Sequence, residues 1–227
     1  FHLAMKYYIL ESANNIDHLS LVDTQGISPP INLEQGNDFY MQPCWHPQGN
    51  QIAWISWDHP NMPWDGTALY LGKFTHEKDS LILSSRKIVL GNPSGNTAIF
   101  QPLFSPNGHF LSYVSDENGW FNLFLMNLKS GVRKILISEK SEQGVPAWIQ
   151  GLRTYGWTAD SKAIYLLKLK NGFSSLVRYE IGREIDQAIE KKIDSYSDLK
   201  QISISSVGER IALIASAPTI PPRIISF

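Results

Sequence analysis

The sequence lacks most of the features that assign a chain to a common functional class. It has one cysteine in 227 residues, so no disulfide can form within the chain. Charged residues make up 18% and the formal net charge is -1, which gives no electrostatic footprint for nucleic acid or an anionic membrane. No run approaches the roughly 18 apolar residues that cross a bilayer, and no signal-peptide pattern opens the chain. These absences predict a soluble, cytoplasmic protein without nucleic-acid or membrane partners.

Metal and cofactor signals are also missing. The lone Cys44 precedes Trp45 in an apolar strand, which predicts a buried small hydrophobe rather than a ligand. The histidines are scattered, without the H-x-x-x-H or C-x-x-C spacing that holds a metal, and we expect neither a metal nor a cofactor. The first residue is not Met, which suggests a fragment or a processed chain.

What the chain does have is a repeated β pattern. An aromatic or apolar anchor precedes a turn of Pro, Asn, Asp or Gly, and an alternating apolar strand follows the turn. The Pro and Asn-Gly residues suit a tight hairpin, and each anchor is expected to pack on a neighbouring sheet. The anchors lie about 50 residues apart, a period typical of propeller blades; they are Trp45, Phe104, Trp157 and Ile204.

The repeat predicts an all-β, partial β-propeller with three complete four-stranded blades flanked by two incomplete ones. The first blade lacks its first strand, and the last stops in its third. Such open edges invite self-association. Residues 183–192 have a sparse helical pattern and favour a charged, solvated connection between blades instead. The predicted blades span about residues 5–35, 40–91, 99–138, 146–194 and 198–227.

Residues 54–66 read W-I-S-W-D-H-P-N-M-P-W-D-G, with three tryptophans and two prolines. In one interpretation the tryptophans cap the fold, the aspartates accept backbone hydrogen bonds and the prolines stiffen the loop. In the other, this rigid aromatic surface contacts substrate or a second domain. A catalytic Asp58–His59 pair is disfavoured, because adjacent residues of an extended segment point to opposite sides. The candidate substrate or interface residues are Trp57, Asp58, His59, Trp64, Asp65 and, in a second hairpin, Trp120.

These motifs resemble a known family. The segments D-F-Y from Asp38, P-C-W-H-P-Q-G from Pro43 and the run above resemble the N-terminal propeller of prolyl oligopeptidase-family serine peptidases, closest to the dipeptidyl aminopeptidase/acylaminoacyl-peptidase branch. The match continues with Q-P-L-F-S-P-N-G from Gln101, S-D-E-N-G-W-F-N-L from Ser115 and P-A-W-I-Q-G from Pro146.

The resemblance implies a C-terminal α/β-hydrolase domain that carries the catalytic residues, with the propeller admitting only short peptides. No G-x-S-x-G nucleophile elbow occurs in this sequence, so no catalytic residue is assigned here and the chain alone is expected to be inactive. The alternative is a stand-alone, TolB-like interaction scaffold. A glycosidase is disfavoured, because it needs clustered carboxylates. Four glutamates that would bind a peptide N-terminus if they faced the cavity cannot be ranked: Glu11, Glu34, Glu117 and Glu142.

Overall fold

The computed structural model describes residues 6–11, 17–23, 25–26, 29–77, 80–182, 188–191, 193 and 195–227. Within these residues every regular element is a β-strand and none is a helix. The chain divides into two compact units, Phe1–Pro102 and Leu103–Phe227. The predicted all-β class is therefore confirmed, whereas the number and limits of the blades stay a prediction.

The first unit contains two antiparallel sheets whose strands follow chain order. The three-stranded sheet consists of β1 (Lys6–Glu11), β2 (Asp17–Val22) and β3 (Ile31–Glu34). The four-stranded sheet consists of β4 (Phe39–Trp45), β5 (Gln51–Trp57), β6 (Ala68–Glu77) and β7 (Ser80–Gly91). Strands β6 and β7 are longer than the alternating pattern indicated, because their pairing continues as far as Glu77 opposite Ser80.

The second unit is built in the same way, and the boundary between the units falls within β8. One four-stranded sheet consists of β8 (Ile99–Phe104), β9 (Phe110–Ser115), β10 (Asn122–Asn127) and β11 (Arg133–Ile135). The next consists of β12 (Tyr155–Trp157), β13 (Ala163–Lys170), β14 (Phe173–Glu180) and β15 (Ala188–Lys191). A three-stranded sheet follows, with β16 (Asp198–Ile204), β17 (Ile211–Ala217) and β18 (Ile220–Ser226).

The interpretation of residues 183–192 as a connection between blades is wrong for Ala188–Lys191, although Ile189 is exposed there. Ala188–Lys191 form strand β15, with Ala188 opposite Tyr179 and Lys191 opposite Leu176. The local pattern is too sparse to indicate a strand, and the long pairing edge of β14 supplies the order instead. Residues 183–187 and 192 lie outside the described part of the chain.

The predicted turns recur with one hydrogen-bonding pattern. In the β4–β5 hairpin the N–H of Gly49 donates to the carbonyl of His46 (2.8 Å), and Gly49 has a φ of 70°. In the β8–β9 hairpin the N–H of Gly108 donates to Ser105 (2.8 Å), with a φ of 73°. Such left-handed geometry is least costly for glycine. The β12–β13 hairpin keeps the same bond without a glycine, from Ser161 to Thr158 (2.9 Å) with a φ of 62° at Ser161.

Glutamines mark a second repeat that the sequence pattern did not predict. Gln42, Gln101 and Gln201 stand three residues before an anchor and have left-handed φ values of 53°, 51° and 53°. The strand pairing shifts register beside Gln42 and Gln201, as at a β-bulge. The side chain of Gln42 accepts the N–H of Gln101, and that of Gln201 accepts the N–H of Arg153 at 2.7 Å. Each of these two bonds fixes a bulge to a backbone N–H that lies far along the chain, 59 residues away for Gln42 and 48 residues away for Gln201.

The core of the first unit centres on Trp54, which is fully buried in β5 and stacks on Tyr70 with ring centroids 5.3 Å apart. The anchor Trp45 meets Phe74 of its own sheet with ring centroids 4.9 Å apart, and it also packs against the core cluster that includes Leu19 of the preceding sheet. Cys44 is half-buried rather than fully buried. The alternation of β4 is interrupted by its bulge, which explains why burial there does not follow the sequence pattern.

In the second unit the anchors do pack on neighbouring sheets. Trp157 in β12 stacks on Phe110 in β9 at 6.3 Å and donates its indole N–H to the hydroxyl of Ser112 at 2.8 Å. Ile204 in β16 lies against Gly156 in β12, where an added Cβ would come within 2.8 Å of the isoleucine. Contacts between successive sheets therefore form the core of this unit.

Candidate functional site

The aromatic run reaches the surface in the connection from β5 to β6, residues 58–67, which we call the aromatic loop. Residues 35–38, which precede β4, and residues 92–98, which follow β7, lie against it at the same end of the sheet. In an antiparallel meander, every second connection lies at the same end of the sheet. These three connections therefore form one surface.

Close backbone contacts fix the aromatic loop to the connection after β7. The N–H of Asp58 donates to the carbonyl of Pro93 (3.0 Å), and the side-chain amide of Asn61 donates to the carbonyl of Gly95 (2.7 Å). Gly66 is buried so closely against Gly95 that an added Cβ would lie 2.0 Å from its carbonyl oxygen. The loop is therefore held by packing as well as by its prolines.

The carboxylate of Asp58 organises the connection before β4. It accepts the side-chain amide of Asn37 at 3.1 and 3.2 Å and the backbone N–H of Asp38 at 2.9 Å. Asn37 in turn accepts the hydroxyl of Ser56 (3.1 Å), and its N–H donates to the hydroxyl of Tyr40 (3.0 Å). Burial raises the pKa of Tyr40, so its hydroxyl is neutral at physiological pH. Asp58 thus accepts a backbone hydrogen bond, as expected, and also anchors a part-buried network.

His59 pairs with Asp38 and not with its neighbour Asp58. The backbone N–H of His59 donates to the Asp38 carboxylate at 2.8 Å, and its Nδ1 lies 3.0 Å from the same oxygen. These hydrogen bonds from His59 lower the pKa of Asp38. The imidazole also leans on Phe39 with ring centroids 4.8 Å apart, while 72% of the side chain stays exposed. Asp58 and His59 thus have different carboxylate and amide partners, and no hydrogen bond joins them among the described contacts.

The remaining candidates of the loop differ in exposure. Trp57 is buried and stacks on Phe39 with centroids 5.1 Å apart, whereas Trp64 is half-buried. The exposed Asp65 accepts the N–H of Met62 at 2.9 Å, as expected for a turn aspartate. Met62 is itself 47% exposed, so the outer face of the loop combines an imidazole with a thioether. A contact of this face with substrate or a second domain stays a prediction.

Trp120 lies in the second unit, in residues 116–121 between β9 and β10, which we call the short loop. It is partly exposed, and its N–H donates to the side chain of Asn118 at 3.4 Å. The segment after β11 supports this loop: the N–H of Phe121 donates to Glu142 (2.8 Å), and that of Gln143 to the carbonyl of Phe121 (2.6 Å). The structure does not bring Trp120 together with the other candidates within one unit.

An open cleft of about 580 Å³ borders the short loop. Its central group is Arg133, whose Nη2 donates to both carboxylate oxygens of Glu117 at 2.7 Å and whose Nε donates to the hydroxyl of Tyr113 at 2.6 Å. Partial burial lowers the pKa of Arg133, but the hydrogen bonds to Glu117 and Tyr113 raise it more, and the net direction is upward. The guanidinium is charged at any physiological pH.

The four glutamates considered for binding a peptide amine are mostly engaged elsewhere. Glu34 is buried and forms an ion pair with Arg86, and Glu117 pairs with Arg133. Glu142 accepts the N–H of Phe121. The side chain of Glu11 lies outside the described part of the structure. Each of the three described glutamate carboxylates therefore already has an ion-pair or hydrogen-bond partner.

No group of three or more His, Cys, Asp or Glu side chains is arranged to hold a metal ion within the described residues. The same residues include no helix with the length and apolar character needed to cross a membrane.

The fold is similar to that of several solved structures with propeller regions. A puromycin hydrolase is 25% identical, with a TM-score of 0.80, and the match covers 93% of this chain and 31% of that one. A puromycin-hydrolyzing peptidase of Mycobacterium tuberculosis is 21% identical with a TM-score of 0.79, covering 97% and 33%. TolB from Acinetobacter baumannii is 21% identical with a TM-score of 0.64, covering 98% and 49%. Neither a protein-family model nor a curated protein matches the chain.

The fold is that of a propeller region, and the resemblance to the N-terminal propeller part of prolyl oligopeptidase-family peptidases is confirmed. The chain spans about a third of the length of the two hydrolases it matches.

Sequence reasoning found the aromatic loop but missed its partners. Asn37 was not singled out, and Asp38 was noted only as part of a motif, although they hold the Asp58 carboxylate and the His59 imidazole. Beside the short loop, Arg133, which holds the Glu117 carboxylate, was missed as well. The signal at the first two was a pair of side chains that favour turns, directly before an aromatic strand. Arg133 carried no local signal, because its partner Glu117 lies across a hairpin.

Proposed function

We propose that this chain is the non-catalytic propeller region of a serine peptidase of the prolyl oligopeptidase family, which admits short peptides to a hydrolase domain outside the chain. The observation that carries the proposal is the match at a TM-score of 0.80 that covers 93% of this chain but only 31% of a puromycin hydrolase. Because the propeller region accounts for about a third of such an enzyme, we expect the catalytic residues in the remaining two thirds. The expected partners are this hydrolase domain and short peptides, in the cytoplasm.

Gating of this kind works by exclusion. A rigid wall restricts the path to a buried nucleophile and pre-positions small ligands, while folded proteins stay outside. The aromatic loop suits such a wall, because Asp58, Asn61 and Gly66 fix it to its neighbours and leave His59 and Met62 on its outer face. We also propose that the parent peptidase belongs to the dipeptidyl aminopeptidase/acylaminoacyl-peptidase branch of this family.

The test compares this chain with the product of the complete reading frame that contains it. Both are assayed on puromycin, on aminoacyl and acyl-aminoacyl p-nitroanilides, and on casein. We expect hydrolysis of the small substrates by the longer product only, and no cleavage of casein, which is of protein size. Equal activity of both proteins, or a longer product without peptidase activity, would refute the proposal.

A variant pair tests the role of the aromatic loop in the longer product. His59→Ala with Met62→Ser removes exposed side chains of the loop, whereas Val207→Ser alters an exposed residue in the turn between β16 and β17. We expect the loop variant to change kcat/KM more for peptides than for aminoacyl p-nitroanilides, and the control to change neither. The same change for every substrate size would contradict gating by this loop.

The second candidate is a TolB-like scaffold, favoured by the match to TolB over 98% of this chain. In that case the chain acts without a hydrolase and associates through its sheet edges, such as that of β18. Size-exclusion chromatography with light scattering tests this candidate, because a scaffold of this kind forms stable dimers or captures a protein partner. The gating region of a peptidase is distinguished by the activity assay above, because it gains activity only from its hydrolase domain.

A further inference from the structure

Three asparagines of this chain stand directly before a glycine, and such a pair can undergo a chemical conversion of its own. The backbone nitrogen of the glycine attacks the side-chain amide carbon of the asparagine, and glycine has no side chain that shields this nitrogen. The three asparagines are Asn107, Asn118 and Asn171. All of them are exposed, so exposure alone does not rank them as sites of reaction.

Hydrogen bonds hold the pair at Asn107 in place, in the turn between β8 and β9. The side-chain oxygen of Asn107 accepts the hydroxyl of Ser105 at 2.7 Å and the N–H of His109 at 3.0 Å. The N–H of Gly108 donates to the carbonyl of Ser105 at 2.8 Å. Both reacting groups of this pair are therefore already engaged.

The pair at Asn118, in the short loop, is held in the same way. The side-chain amide of Asn118 donates to Asn122 at 3.0 Å, and its oxygen accepts the N–H of Trp120 at 3.4 Å. The N–H of Gly119 donates to the carbonyl of Asp116 at 2.7 Å. Ring closure here also requires that hydrogen bonds break first.

Asn171 and Gly172 differ from the other two pairs. They form the two-residue turn between β13 and β14, with φ values of 52° and 80° that are typical of a type I′ turn. Within the described part of the chain, neither the side chain of Asn171 nor the N–H of Gly172 has a hydrogen-bond partner. The space around Gly172 is open, because an added Cβ would meet nothing within 4 Å. The reacting groups of this pair have no hydrogen bond to lose.

We propose that Asn171 is a site of spontaneous deamidation, selected over the other two pairs by its free turn. The backbone nitrogen of Gly172 forms a bond to Cγ of Asn171, and the side-chain nitrogen leaves as ammonia with the proton of that backbone nitrogen. Water then opens the resulting succinimide at either of its carbonyls, which gives aspartate or isoaspartate at position 171. Water is the only other reactant, and the proposal does not depend on the proposed function.

The conversion adds a negative charge and, in the isoaspartate product, a methylene group to the main chain of the turn. The neighbouring Lys170 lies with its Nζ 3.6 Å from the carboxylate of Glu139, so the new carboxylate is a second acceptor for this cation. The longer main chain no longer fits a two-residue turn. We therefore expect the last strand pair, Lys170 opposite Phe173, to open.

The test is incubation of the folded chain at mildly alkaline pH, where the attacking nitrogen loses its proton more readily, with peptide mapping by mass spectrometry over time. Digestion in heavy-oxygen water separates earlier conversion from conversion during preparation. Because the other two pairs must first give up hydrogen bonds, we expect Asn171 to convert roughly tenfold or more faster than Asn107 or Asn118. Equal rates, or a faster rate at either of the other sites, would overturn the proposal.

The unfolded chain provides the control for local sequence. In concentrated urea the turns are lost, and we expect the three rates to become similar. If Asn171 kept the same lead in urea, its neighbours in the sequence and not the fold would select it, and the proposal would be wrong.

Variants locate the modification by isoelectric focusing. The incubated chain should gain an acidic species that migrates with Asn171→Asp. Asn171→Gln should lack this species, whereas Asn118→Gln should keep it, with folding of each variant checked by circular dichroism. The same amount of acidic species in Asn171→Gln would place the modification elsewhere.

Discussion

The aromatic loop and the short loop occupy equivalent places in their sheets, between the second and third strands, yet they are held in different ways. The aromatic loop is fixed by its own side chains, since Asp58 and Asn61 reach both flanking connections. The short loop is fixed from outside, by Glu142 and Gln143 of the following segment. Gln143 is fully buried, accepts the N–H of Leu123 at 2.9 Å and donates to the carbonyl of Ile137 at 2.8 Å.

This difference determines the kind of surface that each loop presents. A loop that fills the space against its neighbours leaves a closed, rigid surface, which suits exclusion. A loop supported on one side leaves the opposite side open, and there the pair of Glu117 and Arg133 borders a cleft. The same position in the sheet thus carries a closely packed loop in the first unit and a loop beside an open cleft in the second.

The largest expected effect concerns the space around one glycine in each loop. Gly66→Ala forces a Cβ to 2.0 Å from the carbonyl oxygen of Gly95 and 2.9 Å from Nδ2 of Asn61, so the backbone must shift. We expect the free energy of unfolding in urea to fall by about 3 kcal/mol. Gly119→Ala in the short loop meets nothing within 4 Å and has only the strain of a φ of 84°, which costs about 1 kcal/mol. Equal losses would show that the aromatic loop is not closely packed.

The next effect compares two aspartates of the aromatic loop. Asp58→Ala removes the acceptor for Asn37 and for the N–H of Asp38 and leaves part-buried donors unpaired, which should cost about 2 kcal/mol in urea unfolding. Asp65→Ala removes only the acceptor for the N–H of Met62 at an exposed position and should cost about 0.5 kcal/mol. If Asp65→Ala proved the more damaging, the loop would depend on its own turn and not on its neighbours.

Much of this comparison could be read from local sequence. Alternating apolar residues and Pro-Asn-Gly turns predicted the sheets, because strand pairing and turn geometry depend on adjacent residues. The tryptophan-rich run predicted an unusual loop. The partners of Asp58 and Arg133 could not be predicted, since they depend on register and on the path of loops about 20 residues away. Strand β15 was missed for the same reason, because its order comes from β14.

The smallest effect is a dependence on pH within the aromatic loop. Hydrogen bonds from His59 lower the pKa of Asp38 below its ordinary value of 3.8, so the carboxylate stabilises the folded chain above that value. This stabilisation is lost as the pH falls through the lower pKa of the folded state. Asp38→Asn should therefore cost less than about 1 kcal/mol at neutral pH, because the carboxylate is half-exposed, and progressively less below pH 3.8.

A second aspartate provides the matched measurement for this pH dependence. The pKa of Asp160 is lowered in the same direction, first by the N–H of Lys162 and then by the hydroxyl of Thr158, within a turn of the second unit. Asp160→Asn should follow the same course with pH, measured by urea unfolding at a series of pH values. A penalty for Asp38→Asn that stays constant under acid, while that of Asp160→Asn declines, would mean that the contact of His59 with Asp38 contributes nothing through charge. The aromatic loop would then be held by packing and by the hydrogen bonds of Asp58 and Asn61.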